Sequence, residues 1–443
     1  MVETSEAWAG LSPQRREDIV AALARGVVPA AGLAELAVGL ERLEETFRRE
    51  LERVATGRGH FKAIRGEYGA GKTFCVRWLT ERARRMGFAT AEVQISETDT
   101  PLHRMETVYR RAMEHLETPT SRTGALADVV DRWFFSLEED VRATGLAVDV
   151  DEEGLARAVQ ERMEARLAGV SQVMSSFAAA LRGYHRAMLA GDYGTAQALL
   201  AWVAGQPNVG AAPKRGAGLK GEIDHEGALT AFRGVLTVLR DSGYQGLVLV
   251  LDEVETLQRV RTDVRDKSLN ALRQLIDELD GERFPGLYVV ITGTPAFFDG
   301  QQGIKRLEPL AQRLHVDWLP TPEFDNPEAT QIRLRGLDRE GLLALGRRVR
   351  DLFADGQPYA ERVHARFSDA FIASLADKVT GRLGGRVGVT PRLFLMKLVN
   401  VLQTVAAHPA FDPAEAWSLE LRPEEMTREE QAALGVDDVE LEV

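Results

Sequence analysis

The sequence predicts an α/β fold with a parallel sheet at its centre. Two predicted strands, LVLVLDEVE (Leu247–Glu255), which ends in carboxylates, and Gly286–Thr292, begin with apolar runs that lack alternating polar residues, as strands buried on both faces of a sheet do. A third and shorter run, Phe61–Arg65, leads into a glycine-rich segment that is followed by a helical pattern. Strands that alternate with helices favour a parallel sheet with helices packed against it.

The composition limits the classes of protein to consider. The 443 residues, 44% hydrophobic and 28% charged, are typical of a folded globular protein with about two or three domains. The net charge of −12 argues against a protein that coats nucleic acid, so a DNA contact would need a local basic patch. No apolar run approaches about 18 residues and the first ten residues lack signal-peptide features, so we expect a cytoplasmic location without a membrane segment. The single cysteine, Cys75, excludes a disulfide within the chain and is expected to pack in the core.

Helices are predicted before and after the first strand. Residues 1–55 form a predicted helical lead-in, in which Ala34–Val54 has apolar residues three to four positions apart. The strand at Phe61–Arg65 is followed by a helix, and a second strand is predicted at Phe88–Ile95. These elements begin the predicted sheet domain.

A large helical insertion is predicted before the first long apolar run. Pro101–Trp202 has helical patterns and no convincing strand. Gly205–Gly221 is a glycine-, alanine- and proline-rich connection that we expect to be mobile and to pack poorly. The sheet domain is therefore predicted to comprise residues 56–100 and 222–326, with residues 101–221 inserted between them.

The C-terminal part is predicted to be mostly helical. A fourth strand is predicted at Leu314–Trp318, and only helical patterns follow Pro327, which gives a C-terminal helical lid over residues 327–410. Residues 335–400 contain 12 basic and 7 acidic residues, so a solvated helical face and a DNA-binding face both remain open. Residues 411–443 contain 11 acidic and 2 basic residues, and we expect this tail to be solvated or to pair with a basic partner.

The segment GEYGAGKT fits the phosphate-binding pattern G-x-x-x-x-G-K-[ST] between a strand and a helix. Its glycines allow the backbone to turn, so that successive N–H groups at a helix N-terminus face a phosphate group. Lys72 is expected to reach the β- and γ-phosphates of ATP, and the hydroxyl of Thr73 to bind Mg²⁺. The predicted nucleotide-binding residues of this loop are Gly66, Glu67, Tyr68, Gly69, Ala70, Gly71, Lys72 and Thr73.

Two carboxylates directly follow the run Leu247–Leu251. Asp252 is predicted to hold Mg²⁺ through water, and Glu253 to orient and polarise the water that attacks the γ-phosphate. Thr292 ends the next apolar run, where it would contact the γ-phosphate or that water; a plain structural role at the strand end remains open. The carboxylates favour hydrolysis of the bound nucleotide over binding alone.

Three arginines are further candidates for contact with a nucleotide. Arg306 and Arg313 lie before the predicted fourth strand, where an arginine would reach the nucleotide of a neighbouring subunit; we prefer Arg313, and a surface role remains open for either. Arg392 stands in the first turn of a helix that Thr390 and Pro391 begin. Because the helix dipole disfavours a cation there, we predict that Arg392 meets a phosphate.

The order of these features resembles that of the AAA+ ATPases, and most of all their initiator and helicase-loader branch. The segment VGLE before the phosphate loop is similar to the VGRE of that branch, with Leu40 in place of its arginine. More closely, residues 64–88 and the segment VQISETDTPLHRMETVYRRAME after them resemble the ATP-binding protein of BREX-type phage-defence systems, the BrxD-like family, and the similarity extends over Gly26–Val405. The resemblance implies an AAA+ ATPase that works beside a helicase of the defence operon against phage DNA.

Three functions follow from these observations as hypotheses. The first is an ATPase that forms a nucleotide-dependent oligomer and loads or regulates the partner helicase. The second is a signal-transducing NTPase switch or transcription regulator, and the third is a non-hydrolysing module that uses ATP for assembly. We also predict weak, sequence-independent DNA binding by the assembled subunits, through the basic C-terminal helices and the Lys214–Lys220 segment.

Overall fold

A computed structural model of the chain describes residues 11–143, 152–382 and 391–418. Its six-stranded sheet has the order β3-β2-β4-β5-β1-β6, and every neighbouring pair is parallel except the antiparallel pair β2–β3. The predicted α/β fold with a mostly parallel sheet is therefore confirmed. The strands are β1 (His60–Arg65), β2 (Ala89–Gln94), β3 (Leu116–Glu117), β4 (Leu247–Asp252), β5 (Leu287–Gly293) and β6 (Gln331–Arg333).

The helices fall into four groups along the chain. Those before β2 are α1 (Pro13–Ala24), α2 (Leu33–Leu36), α3 (Glu41–Ala55) and α4 (Lys72–Arg85). Those between β2 and β4 are α5 (Met105–Glu114), α6 (Ala125–Ala143), α7 (Glu152–Arg166), α8 (Ala168–Ser171), α9 (Ser175–Leu189), α10 (Tyr193–Val203), α11 (Ala211–Gly216) and α12 (His225–Asp241). Beside β5 lie α13 (Thr262–Asp280), α14 (Pro295–Asp299) and α15 (Glu308–Arg313). The C-terminal group is α16 (Arg339–Ala354), α17 (Ala360–Arg366), α18 (Asp369–Arg382), α19 (Pro391–Ala407) and α20 (Pro413–Ala416).

The central strands are buried on both faces because their alternate side chains enter two different cores. In β4, Leu247, Leu249 and Leu251 pack with the helices of the β2–β4 connection and α13, whereas Val248 and Val250 pack against α3 and α4. Cys75 of α4 lies in this second core with no exposed surface, and burial raises the pKa of its thiol to about 12. The side chains on both faces of the strand must therefore be apolar, and this requirement gives an uninterrupted apolar sequence.

The helices between β2 and β4 share a continuous core with one face of the sheet. Helices α5 and α12 pack against each other, and Tyr109 of α5 contacts Phe232 of α12 edge to face with ring centres 4.9 Å apart. The expectation that Gly205–Gly221 packs poorly holds for most of the segment, since α11 has no buried residue, but Leu219 is buried in this core and the indole of Trp202 donates to the carbonyl of Gly221 at 3.2 Å. The two-residue strand β3 is a further departure from the prediction that this region lacks strands.

The N-terminal helices contribute to two different cores. Helix α3 packs on the sheet, whereas Ile19, Val20 and Leu23 of α1 pack in the core of the C-terminal helices, where α1 lies against α16 and α19. The first described helix therefore packs, together with Leu36 of α2, in a core whose other helices follow residue 338.

The prediction of a strand at Leu314–Trp318 is wrong, and the sixth strand is Gln331–Arg333 instead. Trp318 packs through its ring, which lies 5.3 Å from the guanidinium carbon of Arg65 and 4.5 Å from that of Arg333. Strand β6 is short and carries two polar residues, which conceals it in the sequence. It pairs with β1 from Ala63 to Arg65 and occupies the edge of the sheet.

No helix in the described parts of the chain is long and apolar enough to cross a membrane. The predicted acidic tail falls outside the described residues from 419 onward, as does Thr390.

Candidate functional site

The glycine-rich loop connects the end of β1 to the first residue of α4. Gly69 and Gly71 have positive φ angles of 76° and 89°, a conformation that side chains with a Cβ rarely adopt. At Gly66 a Cβ would lie 3.0 Å from the carbonyl oxygen of Leu334, a contact tighter than most, so the start of the loop favours glycine. The loop therefore presents the N-terminus of the 14-residue helix α4 to whatever lies in front of it.

Lys72 is the first residue of α4 and is folded back onto the loop. Its ammonium donates to the carbonyls of Gly66 at 2.9 Å and Glu67 at 3.2 Å, and it lies 5.1 Å from the centre of the Tyr68 ring. A carboxylate oxygen of Glu255 lies 3.8 Å from it. The side chain is only 9% exposed, so this cation is held among groups of the protein itself.

Strand order brings Thr292 between the loop and the two carboxylates. Because β5 lies between β1 and β4, Thr292 pairs with Ile64 in register while Ile291 pairs with Leu251. The hydroxyl of Thr292 donates to one carboxylate oxygen of Asp252. The sequence predicted the strand ends without predicting this order.

Asp252 is buried and is held on both carboxylate oxygens. The hydroxyl of Thr73 donates to Oδ2 at 3.0 Å, and the backbone N–H of Glu253 donates to Oδ1 at 3.1 Å and to the Thr292 hydroxyl at 3.1 Å. Hydroxyl and carboxylate oxygens are the ligands that Mg²⁺ prefers. Among the described residues no group of three or more His, Cys, Asp or Glu could hold a metal, so an ion here would need oxygens from a ligand and from water as well.

Glu253 has an unusual backbone conformation for a residue with a side chain. Its φ angle is +61°, in the left-handed region, and such strain concentrates at functional sites. Its carboxylate accepts a hydrogen bond of 2.9 Å from the side chain of Gln94 at the end of β2. Sequence reasoning missed Gln94 as a site residue; the signal that was available is that it ends a strand predicted to lie in the same sheet.

A cavity of about 830 Å³ opens in front of the phosphate loop, between the sheet domain and the C-terminal helices. The loop from Tyr68 to Thr73, together with Asp252, Glu253 and Glu255, lines one end. The other end is mostly apolar and is lined by Val28, Pro29, Leu36, Val38, Leu40, Leu337 and Leu345. All four residues of the VGLE segment, Val38–Glu41, line the cavity. A molecule with an apolar part and an anionic part matches this lining.

Arg392 lines the same cavity from the second residue of α19. A Cβ on Gly26 would lie 3.0 Å from its guanidinium, so the arginine packs against the segment that follows α1. The structure thus brings together the phosphate loop and an arginine that is 320 residues away in the chain.

Arg306 and Arg313 do not lie among the described residues that line the cavity. Each forms an ion pair with a carboxylate of α13, Arg306 with Asp266 and Arg313 with Asp277. Their side chains are about one-third exposed. Any contact between either arginine and a nucleotide would therefore have to involve a second subunit.

Glu255 is a buried carboxylate of the site that sequence reasoning also missed. Burial raises its pKa, and Lys72 opposes that rise while the charges of Glu253 and Asp252 add to it. It stands in the sequence LVLVLDEVE (Leu247–Glu255), so its position three residues after Asp252 could be read from the sequence. Its burial depends on the 3-10 turn Val254–Gln258, which the sequence pattern does not reveal.

Comparison with known families finds one that covers nearly the whole chain. The family described as BREX system ATP-binding protein BrxC/D matches residues 11–420. No curated protein matches the chain. The chain therefore belongs to this family of BREX system ATP-binding proteins.

Proposed function

We propose that the chain is an AAA+ ATPase that binds ATP with Mg²⁺ and hydrolyses it. The observation that carries the proposal is the meeting of the phosphate loop, the Thr73–Asp252 pair and Glu253 at one end of a single cavity. A site that only binds ATP would need the phosphate loop. It would not need the carboxylate of Glu253 to line the cavity from a backbone with a positive φ angle. Binding of ATP agrees with the description of the family. Hydrolysis of ATP is what we propose in addition.

Each residue has a separate task in this proposal. Lys72 and the backbone N–H groups of the loop hold the β- and γ-phosphates, and Thr73 and Asp252 hold Mg²⁺, which supplies charge neutralisation at the phosphates. Glu253 orients the attacking water, and Thr292 fixes Asp252 and the Glu253 backbone relative to each other. Gln94 holds the Glu253 carboxylate in place.

Isosteric substitution separates binding from hydrolysis. Glu253→Gln keeps the shape of the side chain and loses its charge, so ATP binding should persist while turnover falls by about 100-fold or more. Lys72→Ala should abolish tight binding of ATP. Calorimetric titration and release of phosphate from the full chain measure the two quantities. Normal turnover by Glu253→Gln would contradict the catalytic role of this residue.

We infer that the active form is an oligomer whose subunits share the site. Support comes from the positions of Arg306 and Arg313, which are exposed enough to reach a neighbour and are absent from the lining of their own cavity. In the single subunit Asp277 neutralises Arg313, and a neighbour's γ-phosphate would compete for the same guanidinium. Assembly should therefore depend on ATP.

Mixed assemblies test this shared site. Arg313→Ala should lower hydrolysis with little loss of ATP affinity, and Arg306→Ala is the matched comparison because it removes the same kind of ion pair on the same helix α13. Mixing Arg313→Ala with Glu253→Gln subunits should restore part of the activity, since one junction then has both groups intact. The shared site would be contradicted if no ratio restored activity while mass measurement showed that the two variants assembled together.

The partner and the biological role follow from the family and stay proposals. We propose a cytoplasmic loader or regulator of a helicase in phage defence, with Arg392 reporting the bound nucleotide to the C-terminal helices. DNA binding is proposed to be weak, independent of sequence and steeply dependent on salt. Gel-shift titrations at two salt concentrations, with and without ATP, test it; tight binding by a nucleotide-free monomer would contradict it. Absence of any DNA binding would favour the NTPase switch.

A further inference from the structure

Glu255 and Lys72 form an ion pair that is incomplete. The carboxylate side chain is 3% exposed, and neither of its oxygens accepts a hydrogen bond from another described residue; its own backbone N–H interacts with it and, like Lys72, lowers its pKa. The nearest opposite charge is the Lys72 ammonium at 3.8 Å, beyond hydrogen-bond distance. A buried carboxylate left in this state lowers the stability of the folded protein.

The same ammonium is the cation that the loop offers to a phosphate. Two of its three N–H groups are used by the carbonyls of Gly66 and Glu67. In the absence of a ligand, the Lys72 ammonium attracts the carboxylate of Glu255, which is the nearest opposite charge. Glu255 also lines the phosphate end of the cavity together with Lys72, so its charge faces any anion that enters.

We propose that Glu255 is the resting counter-ion of Lys72 and competes with nucleotide phosphates for it. The inference rests on the proposed nucleotide site and adds a residue that sets its affinity. When a phosphate approaches Lys72, it must displace the attraction of Glu255 and also meets the repulsion of the carboxylate itself. Both effects weaken the binding of ATP and ADP and speed the loss of ADP.

Replacement of Glu255 tests the competition. Glu255→Gln keeps the shape and removes the charge, so the full chain should bind ADP about tenfold more tightly. Glu255→Met is the second variant, because an apolar side chain suits a buried position whether or not an amide finds partners there. Calorimetric titrations with ADP and with adenosine separate the two ends of the cavity, and only ADP should bind more tightly.

Glu278→Gln is the matched control. Glu278 is 13% exposed and forms ion pairs with Arg233 and Arg283 outside the cavity, so its substitution should leave ADP affinity unchanged. Weaker ADP binding by the Glu255 variants would show that the carboxylate holds Lys72 in place for phosphate and would overturn the proposal, as would unchanged binding. If the unaltered chain bound no ADP, the nucleotide site itself would be wrong. The two failures are therefore distinguishable.

Discussion

Two buried lysine–glutamate pairs lie close together in the chain and have opposite character. Lys62 of β1 lies 2.5 Å from Glu50 and donates to the carbonyls of Pro327 at 3.0 Å and Ala329 at 2.9 Å. The hydroxyl of Tyr288 donates to Glu50 at 2.5 Å. Burial raises the pKa of Glu50, but His60 and Lys62 outweigh it and hold that pKa below the ordinary value.

In the pair of Lys72 and Glu255 the ammonium also donates to two backbone carbonyls, but no hydroxyl of the described residues donates to the carboxylate. The two charges are separated by 3.8 Å, and the pKa of Glu255 is raised. Lys62 joins α3, β1 and the segment before β6, so its partners are all supplied by the fold. Lys72 faces a cavity, so part of its environment is left for a ligand to supply. The short distance between the two charges and the hydroxyl that also holds Glu50 thus distinguish the structural ion pair from the one in the binding site.

The largest expected effect on stability comes from breaking the ion pair of Lys62 and Glu50. Lys62→Ala leaves Glu50 charged and buried, which should lower the free energy of unfolding by about 3–5 kcal/mol. Urea denaturation measures this change, and Lys72→Ala is the matched comparison with a smaller loss of stability and a large loss of ATP affinity. Equal losses of stability in the two variants would contradict the distinction between the pairs.

A smaller change, and an increase in stability, is expected when the ion pair of Lys72 and Glu255 is broken. Glu255→Gln removes a buried charge that has no hydrogen bond from the described residues, and it should raise the free energy of unfolding by about 1 kcal/mol at neutral pH without ligand. Urea denaturation of the nucleotide-free chain measures it. Destabilisation would mean that the carboxylate is satisfied in solution.

The pH dependence of these effects sharpens the comparison further. Glu50 has a lowered pKa, so its contribution to stability is present above about pH 4.5 and is lost as the pH falls through the folded value. Glu255 has a raised pKa, so its cost appears as the pH rises from about 4.5 through the folded value. Unfolding free energies between about pH 3.5 and pH 7 should show Glu255→Gln gaining on the unaltered chain as pH rises. A gain that is independent of pH would exclude ionisation as its cause.

Sequence patterns predicted the parts of the fold that depend on local chemistry. The strand Leu287–Gly293 was placed within one residue, and the strand Leu247–Asp252 was located with its correct start and an end three residues too late, because burial on both faces requires an apolar run. The phosphate loop was found because a tight turn before a helix needs glycine at fixed spacing. Strand β6 was missed since its three residues have no such requirement.

Contacts between distant segments could not be predicted in the same way. The hydrogen bond from Gln94 to Glu253 and the packing of α1 among the C-terminal helices depend on strand order and on how separate cores meet. Glu255 required knowledge of a short turn after β4. The order of the strands and the packing of distant helices decide which polar groups lie together. The spacing of hydrophobic residues in the sequence carries little information about either.

The position of β1 within the sheet also affects how the protein is made. Strand β1 hydrogen-bonds to β5 on one side and β6 on the other, so its neighbours are synthesised more than 220 residues after it. Residues up to about Arg333 must therefore have left the ribosome before the strand that leads into the phosphate loop has its native neighbours. Until then a central strand of the sheet lacks both partners, which makes the growing chain prone to aggregation. Affinity for nucleotide should arise late in synthesis, and in one step.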